Sequence, residues 1–535
     1  MTATTKIRRG VLLGLAAFAM VWAIVRAHLQ AITIDEALTY TNFVRPVPPE
    51  FWTAHANNHV LNSMLMWGFT RAFGTSNLAA RSGALIGAAI YITASYLLCV
   101  LIADRFLLRV SLFICLVFNP FIFDFLVAAR GYGLASGFLL SAICFVAYAL
   151  VPDAKSPRVT RACVAASLCI ALSFLGNFSF AFVDAACIVM LYLWASAGEP
   201  LKSAKGAAHP TGNEDLIAPR SVLRESMKKR GVLAAACFLP GLLLAGAVAG
   251  PIVLQWERAE LNYGTTSLGD AFTSLYESSF YEVHPSALNQ ILSEIPIPCI
   301  LLLMFSVFAV WRASLVLIHW RSPRTARSAW FQVLATVPIV AVVATLVINW
   351  ALFHFLRIPL PRNRTGIYLV VLTTLFLGIL AAVPIATRAG EIARRGMTIL
   401  MVVLGSYFLL CLRSGYFKEW KWDSDTDKLY SALASYDRAC GLKDIAVNWR
   451  FDAALNYYRH AAGRETLPDF PHADDLVPGK QTYVLYEPED HDFLVSHSLN
   501  VVYRTSSGAI IALNPAFVPS PGESQCPVKP LAPGN

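Results

Sequence analysis

Charged residues are scarce in this sequence: Asp, Glu, Lys and Arg make up 14% of its 535 residues, and hydrophobic residues make up 56%. Soluble domains usually carry about 25% charged residues. The composition therefore predicts an integral membrane protein. The net charge of +9 does not indicate nucleic-acid binding, because the basic residues lie in short clusters between apolar runs, where orientation in the bilayer explains them.

Several motifs are also lacking. The sequence contains no Gly-rich phosphate loop, Walker motif or Gly-x-Ser-x-Gly element, which argues against a nucleotide-driven pump or a serine hydrolase. None of its eleven cysteines forms a Cys-x-x-Cys pair, so no cysteine metal site is expected. Most cysteines lie in apolar runs as small buried hydrophobes. Cys440 and Cys526 are candidates for a disulfide in an oxidising compartment.

Long apolar runs, in contrast, are abundant. A helix of about 20 residues crosses roughly 30 Å of hydrocarbon, and eleven runs meet that length. The first is expected to be a retained helix and not a cleaved signal peptide. The expected spans lie at about residues 10–28, 80–103, 108–127, 132–151, 161–178, 180–197, 231–254, 295–312, 330–353, 366–387 and 397–412.

The basic clusters predict the orientation of these spans. They lie near residues 6–9, 105–109, 155–161, 202–230, 312–327 and 388–395, which all fall on one side if the spans alternate. Under the positive-inside rule that side, with the N-terminus, is cytoplasmic. We therefore expect a multi-pass protein of the inner (cytoplasmic) membrane, with residues 1–412 as its transmembrane domain and residues 29–78 as the first external loop.

The tail, residues 413–535, is polar and is expected to lie outside the membrane. Its pattern predicts a small α/β domain with a Pro-rich end. Helices are expected near residues 425–438 and 452–462, and strands near 445–449, 482–486, 501–504 and 509–513. The predicted fold class is thus a polytopic α-helical membrane protein with a small C-terminal extracytoplasmic α/β domain.

Two adjacent carboxylates, Asp35 and Glu36, follow the first span. A carboxylate at the membrane surface can accept a proton from a hydroxyl within hydrogen-bonding reach; alternatively, the pair only caps the next helical turn. Apolar spacing predicts an interfacial helix over residues 51–73. Such a helix would place His55 and His59 on one face, where a metal could bind them with a nearby carboxylate, although a histidine pair without a firm third ligand is more often structural.

Two groups of external charges are further candidates. Asp124, Arg130 and Tyr132 lie at the external end of the third span and the start of the fourth, and Arg357, Arg362 and Arg364 precede the tenth. Guanidinium groups offer paired donors to phosphate oxygens, so these arginines could hold an anionic headgroup. The alternative for both groups is snorkelling toward lipid phosphate.

Four motifs together resemble the GT-C superfamily of membrane glycosyltransferases. They are most similar to the bacterial branch related to protein O-mannosyltransferases and to the lipid A aminoarabinose transferase. The motifs are Asp35-Glu36, Asn57 to His59 with Leu61-Asn62, Ala129 to Leu134, and Pro361 to Tyr368. One departure is Val60, where many relatives have proline.

The resemblance implies an inverting transferase that moves a sugar from a polyprenyl-phosphate carrier to a hydroxyl or amine of an acceptor glycan, lipid or protein on the outer face. It implies Asp35 as catalytic base and Glu36 as its supporting neighbour. From the residue patterns described above, no metal, cofactor or nucleic acid is expected. Among the residues for substrate binding, the resemblance implies Arg130 and Tyr132. Together with the charge pattern and the motifs, the expected substrate-binding residues are Asn58, His59, Asp124, Arg130, Tyr132, Arg357, Arg362, Arg364 and Tyr368.

Two alternatives from other classes stay open. A lipid-linked sugar flippase or transporter should place ionisable residues near the middle of its helices, and Asp184 is the main residue of that kind in the apolar runs. A non-catalytic subunit of a glycan assembly system would need no paired carboxylate beside an arginine cluster.

Overall fold

A computed structural model describes residues 3–152, 159–203, 220–257, 263–280, 297–318, 326–442, 444–463 and 467–517. Within these residues, ten helices are long and apolar enough to cross a membrane, and a bent pair of shorter helices makes an eleventh span if it counts as one. The predicted polytopic helical architecture is therefore confirmed.

The helices of the membrane part are numbered in chain order. They are α1 (Ala3–Leu29), α2 (Ile34–Thr39), α3 (Val60–Phe73), α4 (Asn77–Ile102), α5 (Phe106–Val117), α6 (Pro120–Val127), α7 (Tyr132–Ala149), α8 (Val159–Gly176), α9 (Ala181–Ser203), α10 (Arg220–Val253), α11 (Leu268–Ser279), α12 (Ile297–Ile318), α13 (Ala326–Leu356), α14 (Ile367–Ala382) and α15 (Arg388–Leu410).

The third predicted span, residues 108–127, is not one continuous helix. It is divided into α5 and α6, which meet at an angle of 56°. The break follows from two residues: Pro120 cannot continue a preceding helix because it lacks an N–H, and Asn119 caps α6 by accepting hydrogen bonds from the backbone N–H groups of Phe121 and Ile122. The short helix α6, which contains Asp124, therefore runs at an angle to α5.

The first loop is largely ordered, but not as one helix over residues 51–73. Helix α2 continues into a π-helical turn, Tyr40–Val44, and α3 begins only at Val60. Residues 51–59 form turns, so the expectation that His55 and His59 share a helical face is wrong. The side chain of Asn58 explains the turns, because it donates hydrogen bonds to the carbonyls of Phe51 and Thr53, both at 2.9 Å.

Contacts between loops test the expected alternation of spans. Arg105 pairs with Glu391 at 2.9 Å, so two of the loops assigned to the basic side do meet. On the other side, Arg364 pairs with Asp35 at 3.0 Å. We call the end of the bundle that carries Asp35, Arg130, Arg364 and Glu419 the site face.

The C-terminal unit contains helices α16 (Thr426–Cys440), α17 (Trp449–Ala461) and α18 (Glu487–Ser496), and strands β1 (Ile445–Val447), β2 (Thr482–Tyr486), β3 (Asn500–Arg504) and β4 (Ala509–Leu513). The strand order is β1-β2-β4-β3, with β1 parallel to β2 and the other pairs antiparallel. All four predicted strands and both predicted helices are confirmed.

Helix α18 was not predicted, although its sequence carries a signal. Proline and acidic residues fill its first turn, and both favour a helix N-terminus. The expected disulfide between Cys440 and Cys526 lies outside the described residues.

The C-terminal unit packs directly on helix α2. The backbone N–H of Ile34 donates to a carboxylate oxygen of Asp423 at 2.8 Å, and that of Ile32 donates to the hydroxyl of Tyr458, also at 2.8 Å. The rings of Tyr40 and Tyr457 meet edge to face with centroids 5.1 Å apart. The start of α2 is thus held by residues that lie 389 and 426 positions after their partners in the chain.

Candidate active site

Glu36 is fixed inside the protein by a buried ion pair. Its two carboxylate oxygens accept hydrogen bonds from Arg81 at 2.9 and 2.6 Å, and both side chains are 0% exposed. Glu36 also accepts from the backbone N–H groups of Ala129 at 2.7 Å and Thr33 at 2.9 Å. With Thr33 it forms a capping box at the start of α2. Capping, the alternative considered for the carboxylate pair, thus describes Glu36.

Asp35 points elsewhere, because successive residues of a helix lie on different faces. Its side chain is 12% exposed, and its Oδ2 atom lies 3.0 Å from Nη1 of Arg364 and 3.8 Å from Nε of Arg130. Trp420 donates a further hydrogen bond to the same carboxyl group. Asp35 is therefore a partly accessible carboxylate between two arginines.

Arg130 fixes the segments of this site by hydrogen bonds and also supplies a positive charge. It donates to the carbonyl of Asp35 at 3.0 Å, to the hydroxyl of Thr39 at 2.9 Å and to the side-chain oxygen of Asn57 at 2.8 Å. These bonds join three segments: α2, the turns of the first loop, and the connection between α6 and α7. With Nη1 and Nη2 so engaged, Arg130 is a fixed positive charge beside Asp35.

The sequence around Arg130 explains how it reaches that position. Gly131 has φ of +75°, a conformation that favours glycine. A Cβ atom added there would lie 1.9 Å from the carbonyl oxygen of Gly176. The turn before α7 can therefore pass close to the end of α8 only with glycine at this position.

Arg364 is shared by two carboxylates. Its Nη1 atom contacts Asp35 and also Glu419, which lies just after the last span. The guanidinium is flanked by the rings of Tyr263 and Trp420, whose centroids are 4.6 and 5.6 Å from its central carbon. Such cation–π contacts restrict its movement.

The two carboxylates that share Arg364 have opposite pKa shifts. Burial raises the pKa of Asp35, but the positive charges of Arg130 and Arg364 outweigh burial and hold it below its ordinary value. Burial also raises the pKa of Glu419, and there Arg364 compensates only in part, while the negative charge of Asp35 raises it further. Asp35 is therefore the carboxylate that stays ionised to lower pH.

Glu419 was missed by sequence reasoning. The predicted tail was treated as a unit separate from the bundle, and a single glutamate at its start matched no motif. The available signal was the neighbouring Phe417 and Trp420, which are buried against the membrane helices. An aromatic pair flanking a carboxylate directly after a span indicates a segment that returns to the bundle.

Other predicted site residues lie around this centre. The ring of His59 contacts that of Tyr132 with centroids 5.9 Å apart, and its Nε2 atom is 3.3 Å from the amide of Asn177. Burial, with the charges of Arg130 and Arg364, lowers the pKa of His59 well below its ordinary value, so its imidazole is neutral at pH 7.

The remaining predicted residues differ in their surroundings. Asn58 bonds within its own loop, as described, while its neighbour Asn57 reaches Arg130. Tyr368 is buried in the bundle, where its hydroxyl accepts a hydrogen bond from Asn349 at 3.3 Å. Arg357 and Arg362 are exposed. Their roles in substrate binding remain predictions.

Asp124 is buried in a second ion pair of the site face. It lies 2.6 Å from Arg26, which belongs to the first span, and it accepts a hydrogen bond from the backbone N–H of Lys418 at 3.0 Å. The pair thus ties α6 to α1 and to the segment that carries Glu419. Within the described residues, no group of three or more His, Cys, Asp or Glu side chains is placed to hold a metal ion.

The buried pair at Glu36 generates a stability prediction. Arg81→Gln leaves the Glu36 carboxylate buried without its countercharge, which typically costs about 3–5 kcal/mol. We expect a marked fall in the thermal unfolding temperature of the purified protein. Arg105→Gln is the control, since the Arg105 side chain is 56% exposed and exposed pairs contribute at most about 1 kcal/mol. Equal unfolding temperatures for both variants would contradict the role given to the buried pair.

No family model and no curated protein matches this chain. Among solved structures, it is similar to ArnT from Cupriavidus metallidurans bound to undecaprenyl phosphate. The identity is 10% and the TM-score is 0.48, and the match covers 96% of this chain and 99% of the ArnT chain. It is also similar to an oligosaccharyltransferase from Archaeoglobus fulgidus in complex with Zn and sulfate, with 13% identity, a TM-score of 0.42, and 93% and 73% covered.

Proposed function

We propose that this chain is an inverting glycosyltransferase that moves a sugar from a polyprenyl-phosphate carrier to an acceptor hydroxyl or amine. The observation that carries the proposal is Asp35, a partly exposed carboxylate on the site face, held ionised between Arg130 and Arg364. We also propose that residues 1–412 form the transmembrane domain and that the site face and residues 413–535 lie outside the cytoplasmic membrane. The distribution of Lys and Arg supports this orientation.

Asp35 acts as the general base in this proposal. It accepts the proton of the acceptor group as that group attacks the sugar, so the attacking atom gains nucleophilicity without becoming a free anion. Because the arginines lower its pKa, Asp35 is a weak base, and its contribution depends on position. Helix α2 fixes that position through the Glu36–Arg81 pair on one side and Asp423 on the other.

The leaving group is the carrier phosphate, whose negative charge develops as the bond to the sugar breaks. Cations placed where that charge develops stabilise the transition state. Arg130 and Arg364 already contact Asp35, so the exposed Arg362 and Arg357 are the better candidates for the phosphate. Arg362 lies two positions before Arg364 in the chain, which supports a role for it beside the centre.

The transporter alternative is less well supported. It depends on Asp184, which lies in the first turn of α9 and accepts a hydrogen bond from the hydroxyl of Ser173 at 2.9 Å. A coupling site would be expected nearer the bilayer midplane. A non-catalytic subunit would not require a carboxylate kept ionised between two arginines. Metal and cofactor independence remains part of the proposal.

The first test removes the base. Asp35→Asn keeps the shape of the side chain but cannot accept the proton, so transfer from a synthetic polyprenyl-phosphate sugar should slow by roughly 10² to 10⁴. Asp104→Asn is the control, since Asp104 is 78% exposed and pairs with Arg327 at the opposite end of the bundle. An Asp35→Asn rate within about threefold of the parent would reject Asp35 as the base.

The pH dependence tests the electrostatics. The base works only when deprotonated, so kcat/KM should fall as the pH drops through the pKa of Asp35, which lies below its ordinary value. Arg364→Gln removes one charge that lowers this pKa, so the acidic limb of the profile should move to higher pH, whereas Arg364→Lys should largely restore it. Arg45→Gln, at an exposed arginine of the first loop, is the control. An acidic limb that Arg364→Gln leaves in place would show that another group titrates.

The phosphate contact has its own test. Arg362→Gln should raise the KM for the lipid donor about tenfold, or about 1.4 kcal/mol, because one charged contact is lost. The KM for the acceptor should stay the same. Arg388→Gln, an exposed arginine at the start of α15, is the matched control. If neither Arg362→Gln nor Arg357→Gln changes the donor KM, the headgroup binds elsewhere.

A further inference from the structure

A cavity of about 210 Å³ has Glu419 in its wall, the carboxylate that shares Arg364 with Asp35. We call it the side cavity. It is lined by α6, by the end of α11 and by the segment after the last span, with Phe121, Phe125, Ser278, Asn363, Glu419 and Trp420 among its walls. The predicted substrate residues account for only part of it, and neither sequence motifs nor the mechanism above gives it an occupant.

Two residues that line the side cavity, Trp420 and Glu419, interact with Asp35 or with its partner Arg364. Trp420 donates a hydrogen bond to the carboxyl group of Asp35. Glu419 pairs with Arg364, which also pairs with Asp35. A molecule in the side cavity would therefore lie one side chain away from the group that takes the proton.

The lining combines aromatic faces with polar atoms. The rings of Phe121 and Phe125 meet edge to face at 5.5 Å, and those of Phe125 and Trp420 meet at 5.6 Å, so they form one connected apolar wall. Glu419, Asn363 and Ser278 add acceptors and donors to it. A sugar ring presents apolar C–H faces and a rim of hydroxyls, which suit such a lining.

The size of the side cavity limits its occupant. Its volume is below the roughly 300 Å³ at which pockets for drug-sized ligands begin. It has room for one sugar ring but not for an oligosaccharide or a prenyl chain. Lys418 and Asp124 close its edge and are already tied into the protein, Lys418 through the carbonyl of Glu277 and Asp124 through Arg26.

We propose that the side cavity is a subsite for a single sugar ring, which packs against Phe125 and Trp420 and donates a hydroxyl hydrogen bond to Glu419. The proposal rests on the proposed function and extends it, because it makes Glu419 a residue that determines which sugar is used. The ring belongs either to the lipid-linked donor or to the acceptor, and binding measurements distinguish these sources.

The test places progressively larger side chains in the side cavity at Ser278, which has no role in the proposed proton transfer or phosphate binding. Ser278→Ala, Ser278→Leu and Ser278→Phe form a series of increasing volume, and Thr273→Phe places the largest group on an exposed position of the same helix. The full-length proteins in detergent are titrated with decaprenyl phosphate, with decaprenyl phosphate bearing glucose, mannose, galactose or N-acetylglucosamine, and with the four methyl glycosides.

We expect Ser278→Phe to weaken binding of a sugar probe at least tenfold, Ser278→Leu to have an intermediate effect, Ser278→Ala to have a smaller effect than Ser278→Leu, and Thr273→Phe to match the parent. Selective loss of the glycosylated carrier, with the bare carrier unchanged, assigns the subsite to the donor. Selective loss of a methyl glycoside, with both lipids unchanged, assigns it to the acceptor.

The proposal is overturned if the Ser278 series binds every probe like the parent, or if the parent itself binds no glycosylated carrier more tightly than the bare carrier and no methyl glycoside. Transfer is measured separately on the same samples. Sugar-dependent binding without any transfer would contradict the proposed function and leave the subsite in place, so the two failures can be told apart.

Discussion

The Glu36–Arg81 pair is the interaction on which the site depends. A carboxylate and a guanidinium with 0% exposure are costly to bury, and the cost is offset only when each finds all of its partners. Here Arg81 also donates to the backbone carbonyls of Gln30 and Ala31, both at 2.7 Å. The end of the first span, the start of α2 and the fourth helix are thereby fixed to one another, and Asp35 takes its position from all three.

Much of the fold was predictable because hydrophobic periodicity and length are local properties. Spans, strands and the helices around residues 426–461 follow from such patterns. The break at Asn119-Pro120 also had a local signal, since proline cannot continue a helix, but an apolar run conceals a change of direction. The turns over residues 51–59 were mistaken for helix because apolar spacing alone does not reveal the hydrogen bonds of Asn58.

The site was predictable only in part. Asp35, Arg130 and Arg364 could be found as charges next to spans, and the structure brings them together. The division of labour between Asp35 and Glu36 depends on which face of α2 meets Arg81, a contact across 45 positions. Glu419 pairs with Arg364 across 55 positions and Asp423 bonds Ile34 across 389, and both contacts depend on the return of the tail to the bundle. The contact of Asp423 left no local signal, and at Glu419 only the flanking Phe417 and Trp420 indicated that the segment returns to the bundle.

The hold of Asp423 and Tyr458 on the start of α2 has a consequence for biosynthesis. During translation, residues 30–36 enter the membrane region long before residues 423–458 leave the ribosome. Until those later residues arrive, the N–H groups of Ile32 and Ile34 lack these hydrogen-bond partners, and the start of α2 is held by fewer contacts. A chain that ends before residue 423 therefore lacks two of the contacts that fix the start of α2 and, through it, the position of Asp35.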